Sequence, residues 1–321
     1  MSAASAVVFA YSEVGARCLG ALFEADVAVP LVVTHEDDPG ELRWFASVAD
    51  VARRAGSRVL TPADPGDASL LAELGALKPD FIFSFYYRRL LPAAVLGVAR
   101  QGALNMHGSL LPKYRGRAPV NWAVLNGETE TGASLHYMVA KPDAGALIDQ
   151  QAVAIGPDDT AVEVAERIAN AAVAVLTRSL PALIAGTAVA RPLDLANGSY
   201  FGGRTPADGE FGFDWPAARI HNLVRAVAPP FPGAFTAVNG TVIRVHSTRR
   251  LGAAAHATAA CRLYVDGTRL IAECGDGERL ELLEAYIDGG RLDAGRFVST
   301  FGHMSVSTRP QPRAQARATS P

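Results

Sequence analysis

Residues 80–108 read DFIFSFYYRRLLPAAVLGVARQGALNMHG. Asp80 to Phe85 is an apolar run of strand length that enters the loop Tyr86-Tyr87-Arg88-Arg89. Pro92 then opens a helix from the first-turn position where proline is tolerated. Ala103 to Met106 is a second apolar strand, and Asn105 and His107 stand where it ends. Strand, helix and strand in this order, with strands apolar throughout, indicate parallel pairing under helices on both faces.

The same alternation continues outward. Ala6 to Ala10, Val29 to Thr34 and Arg58 to Leu60 read as strands; Gly15 to Ala25, Glu41 to Ala55 and Ala68 to Leu77 read as helices. Thr160 to Ala185 carries Ala, Val and Leu at helical spacing, with Asp158 or Asp159 as its cap. The expectation is a doubly wound, Rossmann-like α/β fold with a mostly parallel sheet. Ligands of such sheets sit beyond the carboxyl ends of the strands, which is where Asn105 and His107 fall.

Composition changes near Asn197. Residues 197–212, NGSYFGGRTPADGEFG, are rich in turn formers and read as a linker. Beyond it come a helix at about Pro216 to Ala226 and short β runs at Ala234 to Val238, Val242 to Thr248, Arg262 to Val265, Leu270 to Cys274 and Leu280 to Tyr286. Asn239-Gly240, Asp266-Gly267 and Asp276-Gly277 separate them, with hairpin chemistry. The reading is a catalytic domain over 1–196, a linker over 197–212, a small OB-like β domain over 213–304, and a disordered tail over 305–321.

A chain of 321 residues with 49% hydrophobic residues and a net charge of -2 is an ordinary globular protein, without the basic excess of a nucleic-acid binder. Cys18, Cys261 and Cys274 are too few and too scattered for a disulfide framework or a zinc knuckle. No apolar run spans a bilayer uninterrupted and no signal peptide is evident, so the expected location is the cytoplasm, without membrane insertion. The turn Ala10 to Gly20 lacks a Gly-x-Gly-x-x-Gly run, no lysine follows a glycine, and no His-Glu-x-x-His occurs. NAD, ATP and a catalytic metal are therefore disfavoured.

The chemistry-bearing stretch is residues 105–116, NMHGSLLPKYRG. An amide and an imidazole two residues apart on a strand share one face. An amide can donate to an oxyanion, and an imidazole can move a proton near neutral pH. Asp143, in the turn Lys141-Pro142-Asp143-Ala144-Gly145, is the candidate carboxylate that tunes the ring. On residues alone the plainer reading stays open: Asn105 caps a turn, His107 is a satisfied half-buried ring, and Asp143 serves a Pro-Asp turn.

The longer stretch NMHGSLLPKYRGRAPVNWAVLNGETETGASLHYM, followed by PDAGALID, resembles the signature region of the 10-formyltetrahydrofolate-dependent formyltransferases. Its elements are Asn105, His107, Ser109-Leu110-Leu111-Pro112, Tyr114-Arg115-Gly116, Gly127 to Gly132 and Asp143-Ala144-Gly145. FSFYYRRLL, YFGGRTPADG and HNLVRAVAPPFPGAF extend the similarity to about His303. It is closest to the formyltransferase domain of the bifunctional polymyxin-resistance enzymes, which formylate UDP-4-amino-4-deoxy-L-arabinose for lipid A modification. Those enzymes continue into a dehydrogenase/decarboxylase domain that this sequence lacks, so the resemblance implies a stand-alone enzyme.

The resemblance implies 10-formyltetrahydrofolate as co-substrate and Asn105, His107 and Asp143 as catalytic residues. His107 would be the proton donor, kept protonated by Asp143, and Asn105 would join it in donating to the oxyanion. It also implies a folate pocket lined by Arg89, Leu90, Leu91, Arg117, Val139, Ala140, Lys141 and Pro142. Tyr11, Ser12, Tyr86 and Arg204 are loop candidates for contacts to a nucleotide-linked amino sugar such as a UDP-sugar. Methionyl-tRNA formylation is the alternative acceptor, but from Arg204 to His303 eleven Arg face eleven Asp plus Glu, with no Lys, so the second domain offers no basic surface for RNA. A folate-binding module without activity is the alternative outside enzymes; an intact Asn/His/Asp set speaks against it.

Overall fold

The structure is a computed structural model that describes residues 4–36, 45–253, 261–302 and 306–307. The chain divides into two compact units. The first is Met1–Pro119, Glu130–Ala154 and Val164–Gly202; the second is Val120–Thr129, Ile155–Glu163 and Gly203–Pro321.

In chain order the first unit begins β1 (Ser5–Ala10), α1 (Ser12–Glu24), β2 (Ala28–Val33), α2 (Val48–Arg54), β3 (Arg58–Leu60), α3 (Ala68–Leu77), β4 (Phe81–Phe85), α4 (Ala93–Leu96), β5 (Gly102–His107) and β6 (Arg115–Gly116). After α5 (Pro119–Leu125) it resumes with β7 (Glu130–Tyr137), β8 (Leu147–Ala154), α6 (Ala161–Ile184) and β9 (Tyr200–Phe201). The main sheet has the order β3-β2-β1-β4-β5-β7-β8. Its first five strands are parallel, and β7 and β8 extend it antiparallel.

The unbroken apolar runs are explained by cover on both faces. Val7 and Phe9 on one side of β1, and Val8 on the other, are all fully buried, as are Ile82 and Phe83 of β4. Each such side chain contributes roughly 1.5–3 kcal/mol relative to exposure. Leu70 and Leu74 of α3 join Val7, Phe9, Leu31, Val33 and Ile82 in one core cluster.

Three helices differ from the sequence reading: α1 begins at Ser12 and not at Gly15. α2 starts only at Val48, where Ser47 accepts the Asp50 N–H at 3.4 Å; residues 41–44 of the expected helix lie outside the described residues. α6 is capped by Thr160 and not by Asp158 or Asp159. Its hydroxyl and backbone N–H both donate to Glu163, and Thr160 Oγ1 accepts from the Glu163 N–H, a reciprocal capping box. Asp159 instead accepts the Gly156 N–H.

Among the described residues one helix, α6, is long and apolar enough to cross a membrane. It is packed as an internal helix: Val164, Ile168, Ala172, Val175 and Leu176 are fully buried, and Arg178 donates to Asp149 and Gln151 of β8.

The second unit holds α7 (Ala217–Ala226), β10 (Ala234–Val238), β11 (Thr241–Ala253), β12 (Arg262–Asp266), β13 (Arg269–Glu273), β14 (Glu278–Ile287), β15 (Gly290–Arg291), α8 (Ala294–Phe301) and β16 (Val306–Ser307). Its antiparallel sheet runs β10-β11-β14-β13-β12-β16, with β15 on β14. The Asn239-Gly240 turn has φ of 49° and 80°, the left-handed pair that a two-residue hairpin requires. Of the sequence read as linker, Tyr200–Phe201 forms β9 beside β6, and Pro206–Gly209 forms a 3-10 turn. The expected tail lies outside the described residues except for β16.

Candidate active site

β5 carries Asn105 and His107 to the carboxyl edge of the sheet. Its antiparallel neighbour β7 sets His136 directly opposite Asn105 and Ser134 opposite His107. Opposed residues of an antiparallel pair share a face, so the register brings a second imidazole against the amide.

Asp143 arrives from the turn between β7 and β8. It sits at φ +50°, and the turn folds back tightly enough that a Cβ at Gly145 would collide with the Tyr137 carbonyl. The absent side chain of Gly145 therefore helps to set where Asp143 stands. Its Oδ1 lies 3.6 Å from His107 Nδ1, 3.6 Å from His136 Nε2 and 3.4 Å from Asn105 Nδ2. Oδ2 accepts the Gly116 N–H at 2.8 Å. Burial alone would raise its pKa. The His107 charge, the His136 ring and the Gly116 N–H outweigh burial and hold the carboxyl well below the usual carboxylate range.

His107, 6% exposed, makes one firm hydrogen bond: Nε2 to the Tyr114 carbonyl, 2.8 Å. A carbonyl only accepts, so Nε2 carries a hydrogen and Nδ1 faces Asp143. The loop supplying that carbonyl is itself tied. Ser109 Oγ donates to the Lys113 carbonyl at 2.6 Å, and Ser134 Oγ donates to the Ser109 carbonyl at 2.6 Å. Gly116, at φ +98°, lets β6 meet β9 where a Cβ would strike the Phe201 carbonyl.

These groups open onto a cleft of about 620 Å³. Asn105, His107, His136 and Asp143 line it, together with Arg89, Leu90, Leu91, Arg117, Val139, Ala140 and Pro142. Leu90 is 75% and Val139 47% exposed, large apolar side chains left uncovered at the mouth, whereas Leu91 also packs on the core cluster. Lys141 is exposed and does not line the cleft.

The four loop candidates separate. Tyr86 lines the cleft at φ +58°, and its ring lies over Gly108 so closely that a Cβ there would strike the phenol. Tyr11 is buried, packed edge-on against His35 and Phe45, and Ser12 begins α1 at φ +61°; neither lines the cleft. Arg204 belongs to the second unit, where it lies 4.7 Å over the Trp122 ring and donates to the Asp208 carbonyl.

Sequence reasoning passed over His136, the Tyr114 carbonyl and the Gly116 N–H. The last two are backbone groups and leave no mark in composition. Among the described residues no group of three or more His, Cys, Asp or Glu is arranged to hold a metal ion.

Residues 8–180 match the family described as formyl transferase, and residues 204–301 match the formyl transferase C-terminal domain. The chain belongs to the formyl transferase family.

The folds of solved structures agree. An N-formyltransferase from Helicobacter canadensis, in complex with folinic acid and dTDP-3-aminofucose, superposes with a TM-score of 0.70. It is 20% identical, over 88% of this chain and 99% of that one. WlaRD, a sugar 3N-formyltransferase solved with dTDP and 5-N-formyl-THF, gives 0.69 at 17% identity, over 90% of this chain and 100% of that one. HypX from Aquifex aeolicus with tetrahydrofolic acid gives 0.62 at 16% identity, over 94% of this chain and 48% of that one. This formyltransferase thus shares with them a mostly parallel sheet and an antiparallel C-terminal β domain.

Proposed function

We propose that the enzyme transfers the formyl group of 10-formyltetrahydrofolate to the amine of a nucleotide-linked amino sugar, UDP-4-amino-4-deoxy-L-arabinose by sequence resemblance. The observation carrying this reading is Asp143, held ionised between His107 and Asn105 in a cleft that also exposes the apolar side chains of Leu90 and Val139. The relatives solved with folinic acid and dTDP-3-aminofucose, and with 5-N-formyl-THF and dTDP, support a sugar amine as acceptor.

In this mechanism the amine lone pair attacks the formyl carbon and gives a tetrahedral oxyanion. Juxtaposing two substrates in one cleft removes much of the entropic barrier. His107, as imidazolium, donates from Nδ1 to the oxyanion, and one such donor is worth about 3 kcal/mol in comparable sites. The carboxylate of Asp143 favours that charged ring and takes up the amine proton. The C–N10 bond then breaks, and N10 receives its proton from His107. Asn105, implied as a second donor, stands beside them. Leu90, Leu91 and Val139 supply apolar walls for a pterin, and backbone groups of the 139–142 turn can read its edge. Arg89 and Arg117 add positive charge to the lining.

The neutral second unit and the sugar-handling relatives disfavour initiator tRNA as acceptor. Product analysis with 10-formyltetrahydrofolate and a panel of UDP- and dTDP-amino sugars tests the proposal. Formylated UDP-4-amino-4-deoxy-L-arabinose is the expected product; formylated methionyl-tRNA with no sugar product would overturn it.

A further inference from the structure

β12 and β13 form a hairpin whose register pairs Asp266 with Arg269, Val265 with Leu270, Tyr264 with Ile271, Leu263 with Ala272 and Arg262 with Glu273. One step further along that register Cys261 stands opposite Cys274. The preceding step is locked, because Arg262 donates twice to the Glu273 carboxylate, at 2.9 and 2.6 Å. On the far side, the Cys274 N–H donates to the Glu278 carbonyl at 2.9 Å, and the Cys274 carbonyl accepts the Gly277 N–H at 2.9 Å.

Those backbone bonds decide what kind of pair the two cysteines make. Cys274 spends its N–H and its carbonyl on the side of β14 and not on Cys261. Opposed residues of an antiparallel pair that exchange no backbone bonds are the close kind, with Cα atoms about 4.5 Å apart and side chains on one face. That separation lies within the span a disulfide bridges without moving the backbone. The shared face is apolar: Leu263 and Ala272, the next pair along it, are fully buried, and Cys274 is buried too. Cys261 is half-buried, and both cysteines carry free thiols.

We propose that Cys261 and Cys274 are a site of covalent modification, a cross-strand disulfide that closes the open end of the β12–β13 hairpin. It holds whichever amine the enzyme formylates. The co-reactant is a small disulfide, R–S–S–R. The Cys261 thiolate, the more accessible of the two, attacks one of its sulfurs; a Cys261–S–S–R bond forms and the first thiolate leaves. Cys274, on losing its proton, attacks Cys261 Sγ, the protein disulfide closes and the second thiolate leaves. The two protein protons end on two R–SH molecules, and two electrons pass from the protein to the reagent.

The surroundings set the rate and the lifetime of the bond. Burial, then Asp276, Cys261 and Glu278, push the Cys274 thiol up to about 12. Burial and then Asp214 raise the Cys261 thiol. Thiolate is scarce, so closure is slow. The reduced pair also gains no stability as thiolate, unlike strongly oxidising cysteine pairs, so the bond persists once made. Acidic neighbours favour an uncharged reagent over an anionic one. The staple would adjoin the start of α7: the Gly275 N–H donates to the Trp215 carbonyl at 3.1 Å, and Asp276 accepts the Ala217 N–H at 3.0 Å.

The test exposes the whole chain to 2-hydroxyethyl disulfide at mildly alkaline pH, then denatures it and alkylates what remains. Free thiols should fall from three to one, peptide mapping should join residue 261 to residue 274, and dithiothreitol should restore all three. Cys18→Ala should form the same link. Cys261→Ser should not, and it carries the test if Cys274→Ala fails to fold. Oxidised protein should melt no lower than reduced protein, because the register already sets the two sulfurs within bonding range. Three thiols still alkylated after prolonged exposure would overturn the proposal. So would a reagent adduct on Cys261 with Cys274 left free, a link that includes Cys18, or a melting temperature lowered by oxidation.

Discussion

His107 presents Nδ1 to Asp143 Oδ1 across 3.6 Å while its Nε2 is held by the Tyr114 carbonyl at 2.8 Å. The gap is longer than a hydrogen bond. One edge of the ring is thus anchored to the backbone, and the other is free to exchange a proton with whatever enters beside the carboxylate. Gly116 fastens the far oxygen of that carboxylate, so one short loop, residues 114–116, clamps both partners of the pair.

Replacing Asp143 by Asn should therefore spare the fold and remove the chemistry. We expect kcat to fall about 10²–10³-fold, comparable to loss of a preorganised charge in such sites, with substrate KM values little changed. Single-turnover kinetics and a melting curve check this together. Wild-type turnover in either Asp143→Asn or Asp143→Ala would contradict the assigned role.

The lowered pKa of Asp143 has a signed consequence for stability. The unfolded carboxyl titrates near its ordinary value of 3.8, and the folded one below it. Its contribution is therefore complete above the ordinary carboxylate range and is lost as pH falls through the folded value. Denaturant midpoints measured from neutral to acid pH should fall more steeply at the acid end in wild type than in Asp143→Asn.

His35 gives the same sign in a higher pH window. Burial, then Arg89 and Arg88, bring its pKa from 6.5 down to about 4. Its ring stacks on Tyr87 at 4.4 Å, and Nε2 accepts the Arg88 N–H, which needs the neutral form. The unfolded state binds this proton first, so stability is complete above pH 6.5 and declines as pH falls toward about 4. In His35→Gln the denaturant midpoint should be flatter across that window; an unaltered slope would remove the assignment.

Gly145→Ala should be costly although the change is one methyl group. The new Cβ meets the Tyr137 carbonyl, so the turn must open and carry Asp143 with it. We expect loss of activity together with about 1–3 kcal/mol of stability, the usual range for overpacking. A fully active, fully stable Gly145→Ala would show that this turn does not set the carboxylate.

The mouth of the cleft can be separated from its chemistry. Leu90→Asp and Val139→Asp place charge on exposed apolar positions, so folding should be unaffected. The KM for formyl-folate should rise while the acceptor KM stays put. Isothermal titration with a folate analogue checks this without turnover, and unchanged affinity in both variants would move the folate elsewhere.

Much of this was legible in the sequence. Unbroken apolar runs such as Asp80 to Phe85 marked the parallel strands because both sheet faces are covered. The Asn105/His107 pair marked the strand end because alternate residues share a face. His136 was not legible. Its place opposite Asn105 depends on the antiparallel register of β5 with β7, and a lone histidine in GASLHYM carries no signal of that pairing. Alternation within β7 does put Gly132, Ser134 and His136 on one face, the only hint available once a strand is assumed there. The α6 cap was misjudged because two aspartates precede Thr160, and only the placement of Glu163 decides among them.

The most direct test supplies purified enzyme with 10-formyltetrahydrofolate and UDP-4-amino-4-deoxy-L-arabinose and follows both products by mass spectrometry. The expected result is a sugar nucleotide carrying one added formyl group and an equal amount of tetrahydrofolate, both lost in His107→Ala. Tetrahydrofolate released without any formylated amine, or the same product yield from His107→Ala, would contradict the account.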